Sequence, residues 1–302
     1  MKSSKGVQCY YKAYHPLQAP RGTGKHMQDG QSAGSGRFEP VSVSNEGGSS
    51  AFVFLCDHAS NFLPAEYGTL GLPAAAMERH IAWDPGALPV ARTLSKRLDA
   101  ALVESRVSRL AIDCNRPLDA PDLISPISEN TLVPGNQDLS QAEREERIAL
   151  SWQPFHEAVS GLVDRRLRAG RETWLVSIHS FTPIYKGVSR PWEIGVIHDS
   201  DDRLATPLIA ELKAPKRFNV GVNQPYSPGD RVYFTLERHG RSRGLPCAMI
   251  EIRNDEISGE MEQRKWAELL ARILGSIRLS AGTEPANVSL QAGIGVKPHI
   301  DS

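Results

Sequence analysis

Five short stretches of this chain are apolar with almost no interruption: Ala51–Cys56 (AFVFLC), Arg109–Asp113 (RLAID), Trp174–Ile178 (WLVSI), Ile194–Ile197 (IGVI) and Cys247–Ile252 (CAMIEI). A strand that shows one face to water alternates apolar and polar residues. A run without alternation is buried on both sides, as in a largely parallel sheet covered by helices. Longer amphipathic stretches separate the runs: Pro85–Leu102, a long segment opening at Ser140, Leu204–Leu212 and Met261–Ile277. Ser140-Gln141-Ala142-Glu143 has the form of a capping box. Behind it Ile148, Trp152, Phe155, Val159, Leu162 and Arg166 recur at three- and four-residue steps, a stripe that a helix buries; Pro154 predicts a kink in it. Strands alternating with helices imply an α/β three-layer sandwich, a mixed and mostly parallel sheet with helices on both faces. Ligands of such sheets sit at the carboxyl ends of the strands.

The 302 residues are 40% hydrophobic and 23% charged, enough for a sizeable core. Residues 1–49, rich in Gly, Ser, Gln and Lys, are expected to be a disordered leader, and 281–302 a disordered tail. That leaves 50–280 as a single catalytic domain. Thirty-five basic residues against 35 acidic ones give zero formal charge, so no bulk field draws nucleic acid or an anionic membrane. No stretch approaches the roughly 20 apolar residues of a membrane span, and the start shows no signal-peptide core. The expectation is a cytoplasmic protein, monomer or homodimer. Cys9, Cys56, Cys114 and Cys247 form no C-x-x-C pair and read as buried small side chains in a reducing compartment.

The strand-end rule selects four polar clusters: Asp57-His58-Ala59-Ser60-Asn61, Asp113-Cys114-Asn115-Arg116, His179-Ser180, and Glu251 with Arg253-Asn254-Asp255. His58 and Asn61, three apart, can meet one cation from a single turn, and His179 ends a neighbouring buried strand; together they suggest a metal pair. Glu251 follows a very apolar run, where desolvation would raise its pKa into the range of a general base. A structural ion pair with Arg253 or Arg116 is the competing reading. Arg116 offers a two-pronged donor to a substrate carboxylate, with Asn115 and Arg253 beside it. His239, in the Gly- and Arg-rich loop LERHGRSRGLP, is a candidate for stabilising an oxyanion, with Arg241 and Arg243 adding positive potential.

The blocks CDHASN (56–61), RHIAWDPGA (79–87), SRLAIDCNRP (108–117), SIHSFTP (177–183) and GLPCAMIEIRND (244–255) together resemble the N-formylglutamate amidohydrolase family, over about residues 51–275. That family is similar in turn to zinc carboxypeptidases and aspartoacylases. The resemblance implies a carboxypeptidase-like fold and a Zn2+ or other divalent transition-metal ion held by His58 and His179. It puts Asn61 where the wider superfamily has a zinc-binding glutamate, Glu251 where it has the catalytic glutamate, and Asn115-Arg116 where the substrate carboxylate binds. Because H-x-x-N replaces H-x-x-E, Asp84 is the candidate substitute ligand, with helix capping its alternative role, and His80 a supporting partner. The activity implied is metal-assisted hydrolysis of a small N-acyl amino acid such as N-formylglutamate. Two alternatives stand beside it: a binding or regulatory protein that kept the fold and lost the chemistry, and a hydrolase of a larger, peptide-like substrate.

Overall fold

Four of the five apolar runs are strands of one sheet, and the alternation of side chains along them divides the core in two. The structure is a computed structural model describing residues 38–281 apart from Pro215; residues 1–37 and 282–302, which hold most of the expected leader and tail and Cys9, lie outside the described residues. From Glu39 onward the chain forms one compact unit. Its strands are β1 (Val41–Ser44), β2 (Phe52–Cys56), β3 (Ala101–Ser105), β4 (Ile127–Ser128), β5 (Thr131–Leu132), β6 (Trp174–Phe181), β7 (Ile184–Tyr185), β8 (Val188–Ser189), β9 (Ile194–Ile197), β10 (Val220–Val222) and β11 (Cys247–Arg253). The α-helices are α1 (Ala74–Met77), α2 (Ala87–Leu98), α3 (Gln141–Arg147), α4 (Gln153–Arg168), α5 (Ala205–Lys213), α6 (Phe234–His239) and α7 (Glu260–Ala281).

The main sheet runs β1-β3-β2-β6-β11-β9-β10. Pairing is parallel except for β1 with β3 and β11 with β9. Phe52, Phe54, Val176, Ile178, Ala248 and Ile250 face α2, α5 and α7. Val53, Leu55, Leu175, Cys247 and Met249 face α4 and α6. The result is the expected three-layer α/β architecture, and the continuous apolar runs are explained by helices on both faces. Two small hairpins, β4–β5 and β7–β8, stand outside the sheet. No helix among the described residues is long and apolar enough to cross a membrane.

Local expectations fare unevenly. The capping box forms, with Glu143 N donating to Ser140 Oγ at 3.3 Å and Ser140 N to Glu143 Oε2 at 2.8 Å. Instead of a simple kink, a π-helical turn over Ile148–Trp152 precedes Pro154; the wider turn relieves the demand for a hydrogen bond that Pro cannot give. Arg109–Asp113 is not a strand. It is a buried run of turns, with Ala111 N bonded to Ser108 O and Asp113 N to Leu123 O; a short apolar run does not distinguish a strand from other buried chain. The helix expected to reach Leu102 stops at Leu98, capped by Asp99 at φ 50°, and Ala101–Ser105 becomes β3 instead. The leader boundary also moves, since Val41–Ser44 pairs antiparallel with β3 and covers that edge of the sheet.

Cys56, Cys114 and Cys247 are free and buried. Burial pushes the Cys114 thiol up to about 12 and the Cys247 thiol up to about 11, so they are protonated, inert side chains.

Candidate active site

Side chains two apart on a strand point the same way. Leu175 on β6 packs toward α4, so Ser177 and His179 face that side too. Met249 on β11 does the same, which directs Glu251 there, and the register sets Glu251 beside His179. Leu55 on β2 gives the same direction to Asp57, just past the strand end. The apolar floor therefore stops at one end of the sheet, and three polar side chains continue it. His58, one residue further, enters from the turn. Above them lies a cavity of about 140 Å3, lined among others by His58, Asp84, Arg109, Arg116, His179 and Glu251.

The two imidazoles lie 5.0 Å apart between ring centres and cross at 76°. Each has one nitrogen held from behind. His58 Nε2 is 2.7 Å from Asp113 Oδ1. His179 Nε2 is 2.9 Å from Asp57 Oδ1 and 2.8 Å from Ser177 Oγ. The other nitrogens converge on Asp84: Oδ2 is 2.8 Å from His179 Nδ1 and 3.5 Å from His58 Nδ1. Arg109 closes the cluster, donating from Nη2 to Asp113 Oδ2 at 2.6 Å and from Nη1 toward His58 Nδ1 at 3.2 Å. Asp57 is braced from below by the Thr235 hydroxyl at 2.6 Å.

Burial alone would raise the three aspartates, yet all lie well below the usual carboxylate range because cations and imidazole N–H groups surround them: His179 at Asp57, His58 and His179 at Asp84, Arg109 and His58 at Asp113. Burial alone would lower both histidines; Asp113 and Asp84 raise His58, and Asp57 and Asp84 raise His179 well above its ordinary value. Three carboxylates against one guanidinium leave two negative charges when both imidazoles are neutral. Two protons satisfy that charge in the protein without metal, and so would one divalent cation. The donor set of imidazole nitrogens and carboxylate oxygens is that of a zinc-type ion. Asp57, His58 and His179 each offer a ligand atom within 4.8 Å of the others. Asp57, however, lies beneath the cavity with a fully buried side chain, whereas Asp84 lines it.

Glu251 differs from its neighbours. Burial pushes its carboxyl up to about 7, with the charge of Asp84 adding to the rise, and Oε2 is buried with no hydrogen-bond partner. A carboxylate in that state is a poor structural group and a serviceable proton acceptor near neutral pH. The ion pair with Arg253 or Arg116, the competing reading, is absent among the described residues.

Other expected site residues are placed differently. Asn61 turns away from the histidines; its amide donates to Met77 O at 3.0 Å, fixing the loop before α2. Arg253 lies off the cavity, tied to Asp255 at 2.7 Å and Glu256 at 3.2 Å. His239 is buried against His156, with His156 Nδ1 2.8 Å from His239 Nε2, and does not line the cavity. Arg241 pairs with Asp199 and Glu237, and Arg243 with Asp164. His80 lines the cavity but faces Glu129 at 3.4 Å, not His58 or His179. Asn115 and Arg116 both reach the cavity. The Asn115 amide is engaged by Val232 O and Thr235 N, so it shapes the wall. Arg116 binds Asp122 through Nε and two backbone carbonyls through Nη1. Asp57, Asp113 and Arg109 received no role from sequence reasoning, although Asp57 sits just past the end of β2, a position that the topological rule marks.

Residues 50–258 match the family model for N-formylglutamate amidohydrolase. Among solved structures, a gene product of Agrobacterium tumefaciens is 44% identical over 81% of this chain and 97% of its own, with a TM-score of 0.79. An N-formylglutamate amidohydrolase from Ralstonia eutropha is 21% identical over 80% of this chain and 99% of its own, with a TM-score of 0.62, and shares the fold. No curated protein matches the chain.

Proposed function

This chain belongs to the N-formylglutamate amidohydrolase family, and from that premise we propose that it hydrolyses the amide of a small N-acyl amino acid with the help of a divalent metal ion. The observation that carries the reading is the pairing of two buried, carboxylate-backed imidazoles with a protonatable, partnerless glutamate beside them on the next strand. His58 and His179, through their Nδ1 atoms, and Asp84 would hold the ion. Asp113 and Asp57 hold the opposite nitrogens and fix each ring's orientation, as carboxylates behind metal-binding histidines do. Bound there, a zinc-type ion supplies Lewis acidity toward water and an amide carbonyl at neutral pH.

The chain's own groups account for the proton movements. The unpaired Glu251 oxygen takes the proton of the attacking water as the new C–O bond forms. It returns that proton to the amide nitrogen as the C–N bond breaks, releasing an amine and a carboxylic acid. A pKa near 7 suits both transfers. Arg116 brings a guanidinium to the wall of the cavity, matching a substrate carboxylate. The second terminal nitrogen of Arg116 has no protein partner among the described residues and is available for it. The cavity volume of about 140 Å3 suits a small acyl amino acid, with N-formylglutamate the first candidate.

The test is a panel of N-acyl amino acids incubated with zinc-supplemented protein, following the released amine. Metal content is measured alongside. Turnover abolished by a chelator and restored by zinc supports the reading; a protein that takes up no metal and cleaves nothing in the panel removes it.

A further inference from the structure

Arg190 is buried, 8% exposed, and has no carboxylate within ion-pair distance among the described residues. Its guanidinium lies between two aromatic rings, 4.5 Å from the centre of Tyr185 and 4.7 Å from that of Tyr226, with Phe181 at 5.8 Å. It donates from Nη1 to the Tyr226 hydroxyl oxygen at 3.0 Å. This bond settles the direction of the phenol: with a lone pair used by Arg190, the Tyr226 O–H must donate elsewhere. Among the described residues it has no acceptor of its own, and Tyr226 lines the cavity.

The backbone puts this phenol near the reacting groups. Tyr226 follows Gln224-Pro225 in the loop after β10. The Gln224 carbonyl lies against Gly195 and Gly221, where an added Cβ would overlap it. Gly195 is the residue of β9 that pairs with Glu251. The loop thus crosses the sheet beside Glu251 because glycine leaves it room. Burial, with the charge of Glu251, pushes the phenol up to about 12, so it keeps its proton at any working pH.

We propose that the Tyr226 hydroxyl is a catalytic hydrogen-bond donor to the amide oxygen as that oxygen becomes negative, and that Arg190 is the positioning residue that aims and polarises it. A neutral donor backed by a desolvated cation is strongest toward a developing anion. It would bind the uncharged ground-state carbonyl much less strongly, so its effect belongs in kcat. This rests on the hydrolase reading above.

The probes are N-formyl-L-glutamate and its phosphinate analogue, in which tetrahedral phosphorus replaces the attacked carbon, used on the zinc-loaded full chain. Tyr226→Phe should lower kcat roughly 100-fold, the range for losing one oxyanion donor, with KM and zinc content unchanged. Affinity for the phosphinate should fall by the same factor. Arg190→Lys should lower kcat without raising KM, and the double variant should be no worse than Tyr226→Phe alone. Thermal melting of each variant checks folding. If Tyr226→Phe keeps kcat within about threefold while Glu251→Gln loses it, Tyr226 is not the donor and the hydrolase reading stands. A wild-type chain that cleaves nothing in the N-acyl amino acid panel and does not bind the phosphinate overturns both.

Discussion

Glu251→Gln should make the metal-stripped protein more stable and the metal-loaded protein inactive. In the fold the Glu251 carboxyl is buried with one oxygen unpaired, and its pKa rises from 4.5 to about 7. A raised carboxyl adds no penalty below its unfolded pKa, where both states are protonated. Stability is lost as pH climbs from the unfolded value to the folded one, because over that span the unfolded carboxyl ionises while the buried one keeps its proton. Glutamine keeps the shape and never ionises. The difference between 4.5 and 7 corresponds to about 3 kcal/mol once both states are ionised. The variant should therefore exceed wild type by under ~1 kcal/mol at pH 5 and by about 3 kcal/mol at pH 8.5. The latter is roughly 6–12 °C in Tm for a domain of this size.

Urea titrations of chelator-treated protein at the two pH values measure the stability gap. Steady-state turnover and zinc content of the loaded variant measure the chemistry. Loss of the proton carrier should lower kcat by about 100- to 10,000-fold while zinc stays bound. Parallel stability-versus-pH curves would show that the carboxylate is not desolvated. Turnover near the wild-type rate would show that it carries no proton, and loss of zinc would make it a ligand instead.

Asp84 and Asp57 compete as the carboxylate ligand, and competitive zinc titration separates them. Asp84→Ala should abolish stoichiometric zinc, whereas Asp57→Asn should weaken it by roughly 10- to 100-fold, the usual cost of losing a buttress; the reverse order would exchange their roles. Because the neighbouring aspartates raise His58 and, more strongly, His179 in the metal-free fold, zinc binding near pH 7 should release protons, and affinity should fall with falling pH. Calorimetry in buffers of different ionisation heat reads this, and binding without proton release refutes the charge-balance argument. His239→Gln should leave kcat within about twofold and lower stability by ~1–3 kcal/mol. Burial pushes His156 and His239 down to about 3 and about 2. Their contribution is present above the unfolded value near 6.5 and is lost as pH falls toward the folded ones, so the variant should also lose less stability on acidification than wild type. A large drop in kcat would return His239 to the chemistry.

How far the sequence speaks for this fold depends on what fixes each residue. His179 and Glu251 were legible because their strands are. Continuous apolarity marked β6 and β11, the two-residue period set which way each side chain points, and the strand-end rule placed both over the same crevice. β3 was hidden because its five residues continue directly from a helix of similar composition. They carry Glu104, whose buried carboxylate is matched by Arg92 at 2.6 Å, a pairing no local pattern reveals. Asn61 shows the limit of spacing arguments. Three residues after His58 it could share a cation, but its amide meets Met77 O, sixteen residues on, and that contact decides its direction. Asp113 sits 55 residues from the His58 ring it orients, and Arg109 was obscured by reading RLAID as a strand, which turned a charge at the heart of the cluster into an end residue.

The division follows from the physics. Strand register propagates side-chain direction from a pattern readable in six residues. Loop residues take theirs from partners brought near only by the finished fold. In this family member Glu251 lies on the regular part, together with His179. The groups that set their charge state, Asp57, Asp84, Arg109 and Asp113, all lie just past strand ends or in turns. Tyr226 is the extreme case: a tyrosine in a Pro- and Gly-flanked loop with no periodic signal, brought to the cavity by two glycines on neighbouring strands and aimed by an arginine 36 residues earlier.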